Sequence, residues 1–218
     1  MVDSRTKVLE ADSIEAKQVA RDDRPFEDII AALARAVGRL GVTPNALTCA
    51  SVVPAAGAIV ATAMGHFVLA IMLMAFSGLC DLLDGPLARL SGQTTRFGAL
   101  LDSTLDRFAD AAPLIGLSVF YSGYGWISLI PVGALFAAYT VSYIRARAEG
   151  LNIRLPPMWM RRTERMLLIG GALLVAPVSF AAIPAPAPLT LAAVALVGLL
   201  SLAASIHMLL VAARILRK

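Results

Sequence analysis

Charge is scarce in these 218 residues: Asp, Glu, Lys and Arg together make up 16% of the chain, against roughly 25% in a soluble globular domain. Where charge is missing matters more. Neither Lys nor Arg occurs between Arg39 and Arg89, between Arg107 and Arg145, or between Arg165 and Arg214. No polar stretch is long enough to build a second core, so one domain is expected. There are only two cysteines, Cys49 and Cys80. They lack a metal-ligand spacing and lie in apolar blocks, so they read as core thiols. No short apolar core with a small-residue cleavage site follows the charged N-terminal residues, and no signal peptide is expected.

What is abundant is apolar sequence, 58% of the chain, arranged in long blocks. Six of them, 46–64, 67–90, 97–120, 126–143, 166–182 and 189–211, are each near the ~20 residues that cross a bilayer. Short connections separate them, the last marked by Pro184, Pro186 and Pro188, which end one helix and begin another. The expected fold is an all-α integral membrane protein with six transmembrane helices. Ahead of these spans, Phe26, Ile29, Ile30, Leu33, Val37 and Leu40 recur at helical spacing, as in an amphipathic helix lying in the membrane interface. The domain reading is therefore a flexible tail over 1–24, an amphipathic juxtamembrane helix over 25–42 and a six-helix membrane domain over 43–218.

With six spans, all 19 Lys and Arg residues fall on one side of the membrane. The positive-inside rule assigns that side to the cytoplasm, together with both termini. Basic residues beside apolar spans point to anionic lipid headgroups as partners rather than to nucleic acid.

Five aspartates interrupt the second and third spans, and carboxylates in apolar spans are costly enough to be functional as a rule. Asp81 and Asp84 lie three apart; Asp102, Asp106 and Asp110 lie four apart. Each set shares a helical face, and the short polar turn at 91–96 makes the two helices antiparallel neighbours. Converging carboxylates repel one another unless cations neutralise them, and hard divalent cations such as Mg²⁺ or Mn²⁺ prefer such oxygens. Asp110 is expected to serve structurally, in an ion pair such as one with Arg107. A cation transporter would also use buried carboxylates, but it leaves the surrounding glycines, arginine and spacer unexplained, and its site belongs at the midplane.

Those surroundings read Asp81-Leu-Leu-Asp84-Gly85-Pro-Leu-Ala88-Arg89, eight residues, then Gly98-Ala-Leu-Leu-Asp102-Ser-Thr-Leu-Asp106. This resembles the CDP-alcohol phosphotransferase family, whose signature D-x-x-D-G-x-x-A-R-x8-G-x-x-x-D-x-x-x-D is matched at all eight fixed positions and in the spacer. The resemblance implies metal-dependent transfer of a phosphatidyl group from a CDP-lipid such as CDP-diacylglycerol to an acceptor alcohol, releasing CMP. It implies two cations held by Asp81, Asp84, Asp102 and Asp106, with Asp106 also deprotonating the attacking hydroxyl, and a homodimer. Gly85 lets a nucleotide approach the backbone closely, and Arg89 suits a pyrophosphate oxygen. Pro44-Asn45-Ala-Leu-Thr48 is similar to a nucleotide-contacting element of the family, although Asn45 also reads as a helix cap. Thr95 begins a segment that in the family contacts the CDP-lipid.

The fourth connection carries Arg145, Arg147, Arg154, Arg161, Arg162 and Arg165. Solvated positive-inside charge accounts for some of them, but a basic pocket between spans also suits a phosphorylated acceptor. Ser142 to Gly150 and Arg162-Thr-Glu164-Arg165 look like the inositol-phosphate branch of the family, which implies acceptor contacts from Arg145, Arg147, Arg162 and Arg165. That branch usually adds an arginine in the last span, where this chain has Ser205 and His207. Glycerol 3-phosphate and serine remain alternative acceptors.

Overall fold

The computed structural model describes residues 24–182 and 188–217. The expected tail up to residue 23 and the prolines at 184 and 186 lie outside the described residues. Among those described there are seven α-helices and no strand: α1 (Arg24–Arg39), α2 (Pro44–Ala63), α3 (Phe67–Leu90), α4 (Arg96–Phe120), α5 (Leu129–Gly150), α6 (Arg162–Ala182) and α7 (Pro188–Leu216). Four of the described segments are long and apolar enough to cross a membrane: α2, α3, Ser122–Gly150 and α7.

Local chemistry sets the boundaries. α2 is capped by Thr43, whose Oγ1 accepts from the Ala46 amide, with Pro44 at the first helical position. The expected cap, Asn45, is already inside the helix. Between α3 and α4 the chain turns at Gly92, φ 65°, a left-handed conformation that suits glycine. Thr95 then caps α4 by accepting from the Gly98 amide. In the fourth apolar span the regular α-helix starts only at Leu129, because Ser122–Ser128 is a 3₁₀ segment kinked at Gly125, φ 59°, ψ −124°. α5 also continues past residue 143 to Gly150, since Ile144 and Ala148 extend its buried face by another turn. At the start of α6, Glu164 Oε2 accepts from the Arg161 amide, one half of a capping box.

The helices pack as two groups of three. α2 lies against α3 and α4, whereas α7 lies against α5 and α6. Small residues allow the close approaches. A Cβ at Gly116 on α4 would stand 2.5 Å from Thr62 Cβ on α2, and one at Gly198 on α7 would stand 3.0 Å from Ala134 Cα on α5. Such contacts drive helix association where no hydrophobic effect acts between helices. The main core joins the groups through Leu114 and Leu117 of α4, Ile169 and Leu173 of α6, and Val197 and Met208 of α7. In α1, Ile30 and Ala34 pack beside Leu83 and Leu87 of α3, while Phe26, Ile29 and Leu33 remain exposed. Cys80 is buried but Cys49 is exposed, so only one thiol is a core residue: Cys49 lies on the outward side of α2.

Candidate active site between α2, α3, α4 and α6

α3 and α4 both pack on α2, and the short turn between them brings the last third of α3 to face the first half of α4. Asp81, Asp102 and Asp106 each offer an oxygen, and these oxygens lie within 4.8 Å of one another. Asp84, on the same face of α3, is buried and turned toward α2, where the Thr48 hydroxyl donates to its Oδ2 at 2.6 Å. Thus three of the four expected ligands converge, and the fourth stands beside them with one oxygen bound to Thr48. Asp106 Oδ1 is a buried oxygen 2.7 Å from Arg162 Nη1, but no donor hydrogen is aligned with it. Crowded hard oxygens, one of them without an aligned donor, are the donor set a divalent cation takes.

Beside the carboxylates lies a cleft of about 210 Å³, lined among others by Asn45, Thr48, Asp84, Gly85, Arg89, Thr95 and Asp102. The five residues expected to meet a CDP-lipid therefore share one pocket whose far wall carries two signature aspartates. Gly98 keeps it open: a Cβ there would stand 3.1 Å from both Asn45 Oδ1 and Thr95 Oγ1. Opposite Gly85, Arg89 Nη1 would lie 3.6 Å from a Cβ, so the guanidinium folds over bare backbone. Gln93 and Thr94 complete the rim. They belong to a turn that reads as polar filler, and only its proximity to Arg89 and Thr95 in sequence hints at a role.

On the other side of Asp81 a larger, mostly apolar cleft of about 540 Å³ opens between α3 and α6. Met74, Leu82, Met166, Leu167 and Leu174 line it, with Asp81 and Arg162 among its polar residues.

The arginines of the fourth connection separate into two kinds. Arg145 is half-buried and Arg147 exposed, both near the end of α5. Arg162 and Arg165 instead turn inward. Arg162 Nη1 lies 2.7 Å from both Asp81 Oδ2 and Asp106 Oδ1, and its Nε donates to Asp110 Oδ1 at 2.9 Å. Arg165, 2% exposed, donates to Met160 O, Asp110 Oδ2 and Ser142 Oγ. Asp110 is thus ion-paired as expected, but with Arg162 and Arg165. Arg107, the neighbour suggested by sequence, has its carbonyl bonded by the Tyr139 hydroxyl. The sequence signal for this network was the continuation of the Asp102–Asp106 spacing to Asp110.

The profile of the family described as CDP-alcohol phosphatidyltransferase matches residues 41–217. The chain belongs to this family. It is a membrane transferase of phospholipid biosynthesis, a CDP-alcohol phosphatidyltransferase. Among its relatives, the phosphatidylinositol phosphate synthase of Mycobacteroides abscessus is 37% identical over 66% of this chain and 67% of that protein. An uncharacterized protein of Aquifex aeolicus is 36% identical over 69% of this chain and 78% of the other. The crystal structure of Mycobacterium tuberculosis phosphatidylinositol phosphate synthase with CDP-DAG bound is similar in fold, with a TM-score of 0.75 and 27% identity, over 85% of this chain and 94% of that one. The manganese and citrate complex of the same mycobacterial enzyme gives a TM-score of 0.74 at 27% identity, over 84% of this chain and 88% of the other. In this chain the signature residues, Asp81 to Asp106, fall on the carboxylate group and its adjoining cleft.

Proposed function

We propose that this transferase moves the phosphatidyl group of CDP-diacylglycerol onto inositol phosphate at the cytoplasmic face of the cell membrane, releasing CMP. One observation carries the reading: the cleft lined by Asn45, Thr48, Gly85, Arg89 and Thr95 is walled also by Asp102 of the carboxylate group and by Asp84 beside it. A nucleotide seated there has its diphosphate beside the carboxylates. The apolar cleft beyond Asp81 suits an acyl chain of the same donor.

Two divalent cations, Mg²⁺ or Mn²⁺, are proposed at Asp81, Asp84, Asp102 and Asp106, supported by the crowding of three of these carboxylates and by the mycobacterial manganese complex. When bound, such cations supply charge stabilisation for a diphosphate and its departing CMP. The chain's own residues do the rest. Asp106 takes the proton of the acceptor hydroxyl as its oxygen bonds to the phosphatidyl phosphorus, and the bond from that phosphorus to CMP breaks. Arg89 holds the diphosphate, and Thr48 fixes Asp84.

Arg145, Arg147 and Arg162 are proposed to hold the acceptor phosphate. Arg165, also expected in that role from sequence, is 2% exposed with its terminal nitrogens committed to Met160, Asp110 and Ser142. We assign it to supporting Arg162. The inositol-phosphate reading also draws on the named mycobacterial relatives.

The proposed topology keeps six spans with both termini cytoplasmic. At about 1.5 Å per residue, the 25 residues of α4 and the 21 of α6 reach about 37 and about 31 Å, enough for a ~30 Å hydrocarbon core. The first turn of α4, which carries Arg96, then lies at the cytoplasmic interface. In this arrangement, residues 25–42 form an interfacial helix, the membrane domain begins at residue 43, and two copies associate as a homodimer.

An acceptor panel with purified protein and CDP-diacylglycerol, read by product mass, tests the reading. Product with inositol phosphate but not with unphosphorylated inositol supports it. Product only with glycerol 3-phosphate or serine replaces the acceptor, and absence of CMP release with every acceptor overturns the donor assignment.

A further inference from the structure

Asp110 lies outside the family signature, one helical turn beyond Asp106, yet both of its oxygens are in use. Its side chain is 3% exposed and bridges Arg162 Nε at 2.9 Å and Arg165 Nη2 at 3.2 Å. A planar guanidinium held along its Nε edge has the direction of its remaining nitrogens fixed. Here that direction aims Arg162 Nη1 at Asp81 and Asp106. Arg165 in turn is anchored to the Met160 carbonyl and to Ser142 of α5, so the grip on Arg162 is braced from three helices. One buried carboxylate faces two arginines, which leaves one positive charge uncompensated by Asp110 and presented at the reaction centre.

We infer that Asp110 is a positioning residue for acceptor recognition: it holds Arg162 by the Nε edge, so that its terminal nitrogens face the reacting phosphorus and receive the acceptor phosphate. The inference rests on the proposed role of Arg162 toward a phosphorylated acceptor. With Asp81 and Asp106 engaged by cations, the terminal nitrogens of Arg162 would be free to take the acceptor phosphate, while the bond from Nε to Asp110, on the opposite edge, would still hold the guanidinium.

A purely structural role for Asp110, neutralising buried Arg165, makes a different prediction. Replacing a buried ion pair by apolar residues of similar size commonly preserves the fold. The test is steady-state kinetics of purified Asp110→Leu/Arg165→Met, with CDP-diacylglycerol and whichever phosphorylated alcohol supports CMP release. The expected result is an acceptor KM raised about tenfold or more, as for loss of ground-state binding, with the CDP-diacylglycerol KM unchanged. Asp110→Asn, which keeps an acceptor oxygen for Nε, should give a smaller rise and serves if the double variant does not fold. An unchanged acceptor KM in the double variant overturns the inference, as does a joint change in both KM values in Asp110→Asn. Arg162→Gln separates the two failures. If it leaves the acceptor KM unchanged, or if no phosphorylated alcohol supports CMP release, the reading of Arg162 fails and the inference falls with it. If it raises the acceptor KM while the Asp110 variants do not, only the positioning role fails.

Discussion

Nη1 of Arg162 stands 2.7 Å from Oδ2 of Asp81, so a guanidinium from α6 already neutralises part of the carboxylate group on α3 and α4. A cation entering that group competes with it. A charge-assisted bond of this kind contributes about 1.5–3 kcal/mol, so Arg162→Gln should tighten Mn²⁺ binding to the substrate-free protein by about tenfold or more. Electron paramagnetic resonance of free Mn²⁺ measures this without turnover. Unchanged or weaker binding means that Arg162 and the metal do not compete.

Asp81→Asn and Asp102→Asn should each abolish CMP release from CDP-diacylglycerol, because both aspartates belong to the crowded group and loss of one ligand removes far more than a surface charge does. Robust turnover by either purified variant, or full wild-type activity in excess chelator, would falsify the metal reading.

Thr48→Val should raise the CDP-diacylglycerol KM, since it removes the 2.6 Å hydrogen bond to Asp84 and leaves a buried carboxylate oxygen short of a donor. That omission costs about 1–3 kcal/mol, or more for a charged group. Thr48→Ser keeps the hydroxyl and should stay near wild type. Equal kinetics for the two variants would remove Thr48 from the donor site.

Two glycine substitutions should have different consequences. Gly116→Val places its Cβ 2.5 Å from Thr62 Cβ and 2.8 Å from the Ile59 carbonyl. Overpacking at backbone typically costs about 1–3 kcal/mol or more, so the melting temperature in detergent should fall. Gly98→Ala instead crowds Asn45 and Thr95 in the cleft and should raise the donor KM with little change in melting temperature. The reverse pattern would contradict the assignment of the cleft.

The proposed orientation predicts that cysteines introduced at residues 151–161, in a Cys-less background, are labelled from the cytoplasmic side only. Labelling from outside intact cells would invert the topology.

Much of this site was legible because the chemistry is written in local spacing. Aspartates three and four apart must share a helical face, and a short turn must return α4 alongside α3. The long-range pairings were not legible. Asp110 and Arg162 are separated by 52 positions, and nothing in a run of arginines distinguishes the two that point inward. Similarly, Thr43 and Asn45 are both good caps; Pro44 at the first helical position settles the choice for Thr43 and frees Asn45 for the cleft. The late start of α5 depended on Gly125 adopting φ 59°, which its identity permits but does not require.

The packing of the helices in two groups of three divides chemical labour along the chain. Every cleft residue assigned to the donor's nucleotide comes from α2, α3, α4 or the turn between α3 and α4, whereas the arginines assigned to the acceptor belong to α5 and α6. A mutation that retunes the choice of alcohol therefore need not touch the machinery that grips the nucleotide. Duplicated genes of this architecture can diversify headgroup chemistry by drift in the C-terminal half while purifying selection holds the N-terminal half fixed. Chimaeras joined in the 3₁₀ segment should inherit the nucleotide cleft from one parent and the acceptor arginines from the other.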